Sequence, residues 1–255
     1  MRLLVRGLED GERDFSAWAC VRAYPALVVT GLAYSLGIWV DKMVFWFGSG
    51  LEAAPWIHCH PLYDTTCFLA YVTVIPALSI NLIHLETSFY EHYRRYYLAI
   101  LGHMPLATLE DRRVRMMDDL RAGVVKLIRL QGAISVAAIV LAPWILDALG
   151  IPAMAVRVFR FACLGAFFHV LLLITILIQL YFDLRKQALV SALVFLVANT
   201  VGALVSVRFG FAVYGVGYAA ATLFAVVVAF VLLDRALRWL DYLTFVTQLE
   251  VKRRS

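Results

Sequence analysis

Two opposite charges lie side by side within an apolar stretch of the chain. Asp41 and Lys42 are adjacent in the run IWVDKMVFW, which covers residues 38–46. If residues 24–47 form a membrane-spanning helix, both charges fall in its outer half, where an unpaired charge is unfavourable by a few kcal/mol. Neighbouring helical residues point about 100° apart, so we expect Asp41 and Lys42 to need separate partners or a watery cavity.

Two interpretations of this pair stay open. In the first, Asp41 and Lys42 belong to a polar path through the helix bundle. In the second, the helix ends earlier and both side chains reach the outer interface, with Trp39 and Trp46 as anchors at the headgroups. The choice depends on where the helix ends and which face it buries.

A second candidate segment has the sequence LETSFYEHYRRYY and covers residues 85–97. Its spacing predicts an interfacial helix that leaves the second span, with one aromatic face and the charged residues elsewhere. That face comprises Phe89, Tyr93, Tyr96, Tyr97 and Ile100. Aromatic rings stack on sugars, so the face could line the cytoplasmic mouth of a glycan path. The alternative, which the sequence favours, is an aromatic belt at the headgroups.

The outward loop carries the remaining candidates for chemistry, which are Trp56, His58, Cys59, His60, Tyr63 and Asp64. Three consecutive residues cannot all chelate one ion comfortably and no second cluster accompanies them, so we predict no metal site. The chain has no phosphate-binding loop, nucleophile elbow or zinc-protease motif. We therefore predict no catalytic residues, no cofactor and no enzymatic activity.

The elements that must position these residues are membrane helices. Hydrophobic residues make up 63% of the chain and charged residues 16%, against about 45–50% and 25% in ordinary globular proteins. Runs of about 20 apolar residues have the length of a bilayer crossing. The sequence therefore predicts an all-α, polytopic helix bundle in one membrane domain, residues 1–255, with six spans. We place the spans at 24–47, 66–85, 126–149, 157–181, 187–207 and 211–233.

Lysine and arginine predict the orientation. They concentrate in residues 1–23, 86–125, 182–186 and 234–255, whereas loop 48–65 has neither. The opposite side holds only Arg157, Arg160 and Arg208. Basic loops face the cytoplasm, so both termini, segment 86–125 and tail 234–255 should be cytoplasmic. Basic residues beside spans suit lipid headgroups rather than nucleic acid.

Small and polar residues within the spans predict how they pack. Ala198, Gly202 and Ser206 in the fifth span, and a stripe from Gly217 to Ala229 in the sixth, indicate close antiparallel packing. Pro76 and Pro143 should kink the second and third spans. Each uncharged polar group within a span should make an interhelical hydrogen bond. These groups are Asn81, Gln131, His169, Gln179 and Asn199.

The same segments resemble a known family. YSLGIWVDKMVFW (34–46), PLYDT (61–65), the Ile75–Pro76 pair and LETSFYEHYRRYY (85–97) resemble the PelG exporters of Pel exopolysaccharide, bacterial inner-membrane proteins related to polysaccharide flippases and multidrug exporters. The family's Trp-(Ile/Val)-Asp-Lys motif falls on Trp39 to Lys42, and its Leu-Glu-Thr-(Asp/Ser)-Phe motif falls on Leu85 to Phe89. Members are roughly twice as long and have two lobes. The resemblance is to the second lobe, so an N-terminal lobe is an expected partner.

The resemblance implies export of an N-acetylgalactosamine-rich glycan, with the Pel glycosyltransferase, the cyclic-di-GMP receptor PelD and the membrane protein PelE as partners. From the residues and the resemblance together we predict a substrate path along Trp39, Asp41, Lys42, Trp46, Tyr63, Asp64, Glu86, Phe89 and Tyr93. Two alternatives remain. The chain could be a non-transporting scaffold that recruits the synthase through 86–126, or an exporter of lipid-linked or small molecules.

Overall fold

A computed structural model describes residues 21–22, 24–102 and 104–238 of this chain. Six helices in this part are long and apolar enough to cross a membrane, which confirms the all-α class and the six spans. The cations of residues 1–20 and most of the predicted tail, from 239 onwards, lie outside the described residues.

The helices run in chain order with short connections. A two-stranded hairpin follows the first helix, a π-helical turn joins α3 to α4, and a 3₁₀ turn precedes the last helix. The bounds are α1 Pro25–Ser49, β1 Leu51–Ala54, β2 Ile57–Cys59, α2 Pro61–Val72, α3 Ile75–His84, the π turn Leu85–Phe89, α4 Tyr90–Leu101, α5 Leu106–Ala148, α6 Ala155–Tyr181, α7 Arg185–Phe209, the 3₁₀ turn Phe211–Val213 and α8 Val216–Arg238.

The second crossing differs from the predicted 66–85. It begins at Pro61 and breaks between α2 and α3, where Pro76 occupies the first turn of the new helix. Proline lacks the N–H that would continue the α2 ladder, so the predicted kink is a break. The crossing then continues through the π turn into α4 without a loop, which places residues 85–101 in line with α3.

The third crossing is the second half of a much longer helix. We predicted a span over 126–149 preceded by the cytoplasmic segment 86–125, but α5 runs without a break from Leu106 to Ala148 over 43 residues. At 1.5 Å per residue it measures about 65 Å, twice the hydrocarbon thickness, so its N-terminal half must project from the bilayer. Gly123 lies where the His84 ring packs, since a Cβ there would lie 2.6 Å from His84 Cδ2.

Helix α6 is the centre of the bundle. Two thirds of its span is buried, and it packs against α2, α5 and α8, while α1 packs along α7. The α1 stripe that faces α7 includes Gly37, whose carbonyl accepts a hydrogen bond of 2.9 Å from Asn199 Nδ2. A Cβ at Gly37 would lie 2.7 Å from the Phe195 ring, so glycine permits this close approach.

Helices α7 and α8 pack backbone to backbone, which confirms the predicted contact. A Cβ at Gly202 would lie 2.7 Å from the Gly217 carbonyl oxygen, and a Cβ at Gly217 would lie 2.4 Å from the Gly202 oxygen. The sixth span was predicted from residue 211, but α8 begins at Val216 after the 3₁₀ turn. Helix α8 continues to Arg238, so residues 234–238 of the predicted tail 234–255 are helical.

A short β-hairpin occupies part of the loop that we predicted to face outward. β1 and β2 pair antiparallel, with Leu51 opposite Cys59 and Glu52 opposite His58. The turn between the strands holds Trp56 at φ 72°, a backbone conformation that bulky residues rarely adopt. Its side chain is 93% exposed.

Candidate functional site

Asp41 is a buried carboxylate with two partners. It is 1% exposed, and the Tyr63 hydroxyl on α2 donates to its Oδ2 at 2.6 Å. Lys42 Nζ lies 3.4 Å from its Oδ1. The expectation that the two charges cannot readily pair was therefore wrong, because the flexible lysine stem lets its ammonium reach back along α1.

Lys42 turns into the bundle rather than towards an interface. Its Nζ also donates to the Ile38 carbonyl at 3.1 Å, and it lies 5.9 Å and 5.1 Å from the ring centres of Trp39 and Tyr71. Only 11% of the lysine side chain is exposed. Because α1 continues for seven residues beyond it, about 10 Å, the interpretation of a helix that ends early does not hold.

The C-terminal end of α1 and the N-terminal end of α2 are joined beside this pair. Trp46 Nε1 donates to Asp64 Oδ2 at 2.9 Å, and the His60 backbone N–H donates to the same oxygen at 3.1 Å. The other oxygen, Oδ1, is buried without a hydrogen-bond partner in the described part of the chain. The structure thus brings together six of the predicted path residues. We call this group the α1–α2 cluster: Trp39, Asp41, Lys42, Trp46, Tyr63 and Asp64.

The other three predicted residues lie at the opposite end of the same crossing. Tyr181 at the end of α6 donates from its hydroxyl to Glu86 Oε1 at 2.6 Å. Phe89 is fully buried, with its ring centre 5.6 Å from that of Tyr181. Tyr93 packs on Tyr181 at 6.2 Å. We call Glu86, Phe89, Tyr93 and Tyr181 the π-turn cluster. The 22 residues between Tyr63 and Glu86, most of them helical, separate it from the α1–α2 cluster by about 30 Å.

Burial of the aromatic face corrects its interpretation as a headgroup belt. Phe89 is 0% and Tyr96 3% exposed, so these rings belong to the protein core. The π turn widens the helix at this point, and Ser88 within it donates to Asp119 Oδ1 on α5 at 2.9 Å. Segment 85–97 therefore contacts both α5, through Ser88, and α6, through Phe89.

The comparison with known families now adds to this geometry. Residues 2–245 match the family model described as "PelG: Putative exopolysaccharide Exporter (EPS-E)". The chain belongs to the PelG family. No curated protein and no solved structure matches it. In this PelG family member, the segments that carried the resemblance form the α1–α2 cluster and the π-turn cluster.

The predicted substrate path did not include three residues that surround Lys42 and its neighbours. Tyr71 lies under the Lys42 ammonium, and its ring centre lies 6.1 Å from that of His169. The Tyr34 hydroxyl lies 2.7 Å from His169 Nε2. These side chains come from α1, α2 and α6, and no sequence spacing connects them. The sequence indicated His169 only as a polar group within a span and Tyr34 only as the first residue of segment 34–46, and Tyr71 carried no signal beyond a tyrosine in an apolar span.

Four of the five polar groups within the spans bond another helix, as predicted. Besides His169 and Asn199, Asn81 Nδ2 donates to the Gly123 carbonyl at 3.2 Å, and Gln179 Nε2 donates to the Ala229 carbonyl at 3.0 Å. Gln131 was predicted wrongly, because its Nε2 donates to Ser135 Oγ one turn along the same helix. Each bond satisfies one buried polar atom of its group, whereas Asp41 and Lys42 form a buried ion pair within a described span.

The histidines of the outer loop serve the local fold. His60 Nδ1 accepts a hydrogen bond from the Tyr63 backbone N–H at 3.3 Å, and its ring stacks on Phe211 at 5.7 Å. The His58 ring lies 5.1 Å from that of Phe47. Within residues 21–22, 24–102 and 104–238, no three His, Cys, Asp or Glu side chains gather as metal ligands.

Proposed function

We propose that this PelG family member moves or guides an N-acetylgalactosamine-rich glycan across the bacterial inner membrane. The single observation that carries this proposal is the half-exposed Trp39 beside the buried Asp41–Lys42 pair. Tryptophan rings offer flat apolar faces to sugar rings, and a fixed charge pair offers donors and acceptors to hydroxyl and amide groups. A polar polymer that crosses a lipid bilayer needs both kinds of contact, aromatic faces and hydrogen-bonding groups.

The geometry supports one face of α1 as the wall of the path. Ser35, Trp39, Lys42 and Trp46 recur at intervals of four, three and four residues, so they share a helical face. The Trp39 and Trp46 rings lie 6.3 Å apart along it. Gly37, Asp41 and Phe45 form the neighbouring buried stripe. The π-turn cluster would then be the cytoplasmic entrance.

Substitutions on α1 test the transport proposal in cells that carry the complete export machinery. Trp39→Ala and Asp41→Asn should lower secreted polysaccharide at normal protein abundance. Phe47→Ala is the matched control, because Phe47 is 75% exposed on α1 and lies about 80° around the helix from Trp39. Wild-type secretion by both Trp39→Ala and Asp41→Asn would contradict the proposed path.

A specific observation also favours the scaffold function. The first half of α5 projects from the bilayer and packs on α4, with Met116 fully buried and Arg112 Nη1 donating to the Arg95 carbonyl at 2.8 Å. This rigid pair presents exposed charges, among them Arg115, which pairs with Asp111 at 3.0 Å. We propose it as a surface for the Pel glycosyltransferase, PelD or PelE.

Co-purification separates the two functions. Under the scaffold proposal, Arg115→Glu should abolish co-purification of the glycosyltransferase and lower secretion, whereas Trp39→Ala should leave co-purification intact. Arg238→Glu is the control, since Arg238 is an exposed arginine that also pairs with a carboxylate, Asp234. Normal co-purification by Arg115→Glu would remove the support for this docking surface.

A further inference from the structure

Two arginines line a groove at the end of α6 that is remote from the α4–α5 pair. The groove has a volume of about 500 Å³ and lies between α5 and the first turns of α6. Arg157 and Arg160 are its charged residues. Its other lining residues are Ile139, Ala153, Val156, Phe161 and Leu164.

Arg160 is held in place by a carbonyl that a proline frees. In a regular helix, the N–H of residue 143 would bond the carbonyl of residue 139, but Pro143 has no N–H. Arg160 Nε donates to the Ile139 oxygen at 3.1 Å instead. The terminal nitrogens of this guanidinium make no further hydrogen bond within the described residues.

Arg157 lies one turn earlier on the same face of α6 and forms no ion pair with any described residue. No carboxylate lines the groove. The groove between α5 and α8 at the other end differs, because Asp234 lines it and pairs with Arg238 at 2.8 Å. The Arg157–Arg160 groove therefore carries positive charge without a protein counterion in the described part of the chain.

The lining is ordered by depth as an amphiphile would require. Arg157, Arg160, Phe161 and Leu164 follow an i, i+3, i+4, i+7 spacing, so they form one face of α6. Arg157 and Arg160 lie in the first two turns of α6, and Phe161 and Leu164 continue the face deeper into the span, with Ile139 across the groove on α5. Ala153 and Val156 line the groove beyond Arg157, towards the helix end. A soluble anion would use the arginines alone and leave this apolar wall uncovered.

We propose that this groove binds one anionic phospholipid. The phosphate lies between Arg157 and Arg160, whose planar guanidinium groups match its oxygens. An acyl chain lies along Ile139, Phe161 and Leu164. Basic pockets between membrane helices on the cytoplasmic side bind anionic headgroups, and the proposal extends the same chemistry to the opposite end of this bundle.

The test compares phosphatidylglycerol with phosphatidylcholine of the same acyl chains, added to the purified full chain in detergent. Native mass spectrometry counts retained lipid, and thermal unfolding gives the stabilisation. Phosphatidylglycerol should bind and stabilise the protein, and each lost arginine should weaken its apparent affinity about fivefold. Arg157→Gln should weaken the apparent affinity for phosphatidylglycerol about fivefold, and the double variant Arg157→Gln/Arg160→Gln should weaken it about 25-fold.

Arg208→Gln is the matched control, because Arg208 is an exposed single arginine at the end of α7 and should leave phosphatidylglycerol binding unchanged. Arg157 is exposed and makes no hydrogen bond or ion pair with a described residue, so Arg157→Gln should unfold at the wild-type temperature when no lipid is added. This single variant therefore tests the site even if Arg160→Gln does not fold. Equal stabilisation by phosphatidylcholine, or an equal loss in Arg208→Gln, would overturn the site. If inorganic phosphate reproduces the stabilisation, the groove recognises a free anion and the lipid proposal is wrong.

Discussion

At the scale of single residues, the decisive feature is how the protein keeps a carboxylate inside a membrane span. Asp41 is enclosed by α1 and α2, and Tyr63 and Lys42 together supply its described hydrogen bonds. A buried charge is tolerated when its oxygens are paired. Tyr63 is therefore a structural partner of the site as well as a predicted path residue.

Tyr63→Phe should leave Asp41 Oδ2 without its donor and lower the free energy of unfolding by about 2 kcal/mol. Thermal unfolding of purified protein in detergent measures the change. Tyr90→Phe serves as the control, because Tyr90 is 41% exposed and its hydroxyl can hydrogen-bond water or headgroups. Similar unfolding temperatures for the two variants would show that the Tyr63–Asp41 bond contributes little.

At the scale of elements, the contact between α7 and α8 depends on two glycines that face each other. Because the three nearest atoms that a Cβ at Gly202 would meet are all backbone atoms of Gly217, no side-chain rotation can make room and the helices must separate. This differs from Gly123, where the neighbour is the His84 side chain. Helix contacts in lipid depend on such close approach, since the lipid supplies little hydrophobic driving force.

Gly202→Ala should therefore lower the free energy of unfolding by about 1–3 kcal/mol, the usual effect of overpacking. Gly31→Ala is the matched control within α1, since a Cβ there meets nothing within 4 Å. It should be neutral or stabilise the helix by up to about 1 kcal/mol. Detergent unfolding curves give both values, and a Gly202→Ala protein as stable as wild type would mean that α7 and α8 do not touch at this point.

At the scale of the whole molecule, the two ends of the bundle differ in charge and shape. One end carries the α4–α5 pair with its many arginines, and the other carries the β-hairpin and only Arg157, Arg160 and Arg208 among the described cations near it. We propose the positive-inside orientation on this basis, with both termini in the cytoplasm. Residues at the hairpin tip and in the first half of α5 are the most direct positions at which to test this orientation.

Cysteine labelling tests this orientation in a chain with Cys20 and Cys59 replaced by serine. Trp56→Cys should react with a membrane-impermeant maleimide in cells whose outer membrane alone is permeabilised, because Trp56 lies at the exposed hairpin tip. Arg115→Cys should react only after the inner membrane is also opened. Labelling of Arg115→Cys in intact spheroplasts would reverse the proposed orientation.

The sequence by itself determined the class of fold, the number of spans and several contacts of small residues. Apolar runs of span length leave the chain no soluble alternative, and Gly202 with Gly217 predicted their helix pair because only small residues allow that approach. The residues of segments 34–46 and 85–97 also predict where function should be sought, although the π turn within the second segment was not predicted.

Only the tertiary structure decided which faces are buried and which groups meet. In lipid the outer surface of a bundle is as apolar as its core, so hydrophobic periodicity does not reveal the buried face. Phe89 therefore looked like a belt residue, although α6 covers it. Asp41 meets Tyr63 and Glu86 meets Tyr181 across 22 and 95 residues of sequence, and such contacts depend on how separate helices pack rather than on spacing within any one of them.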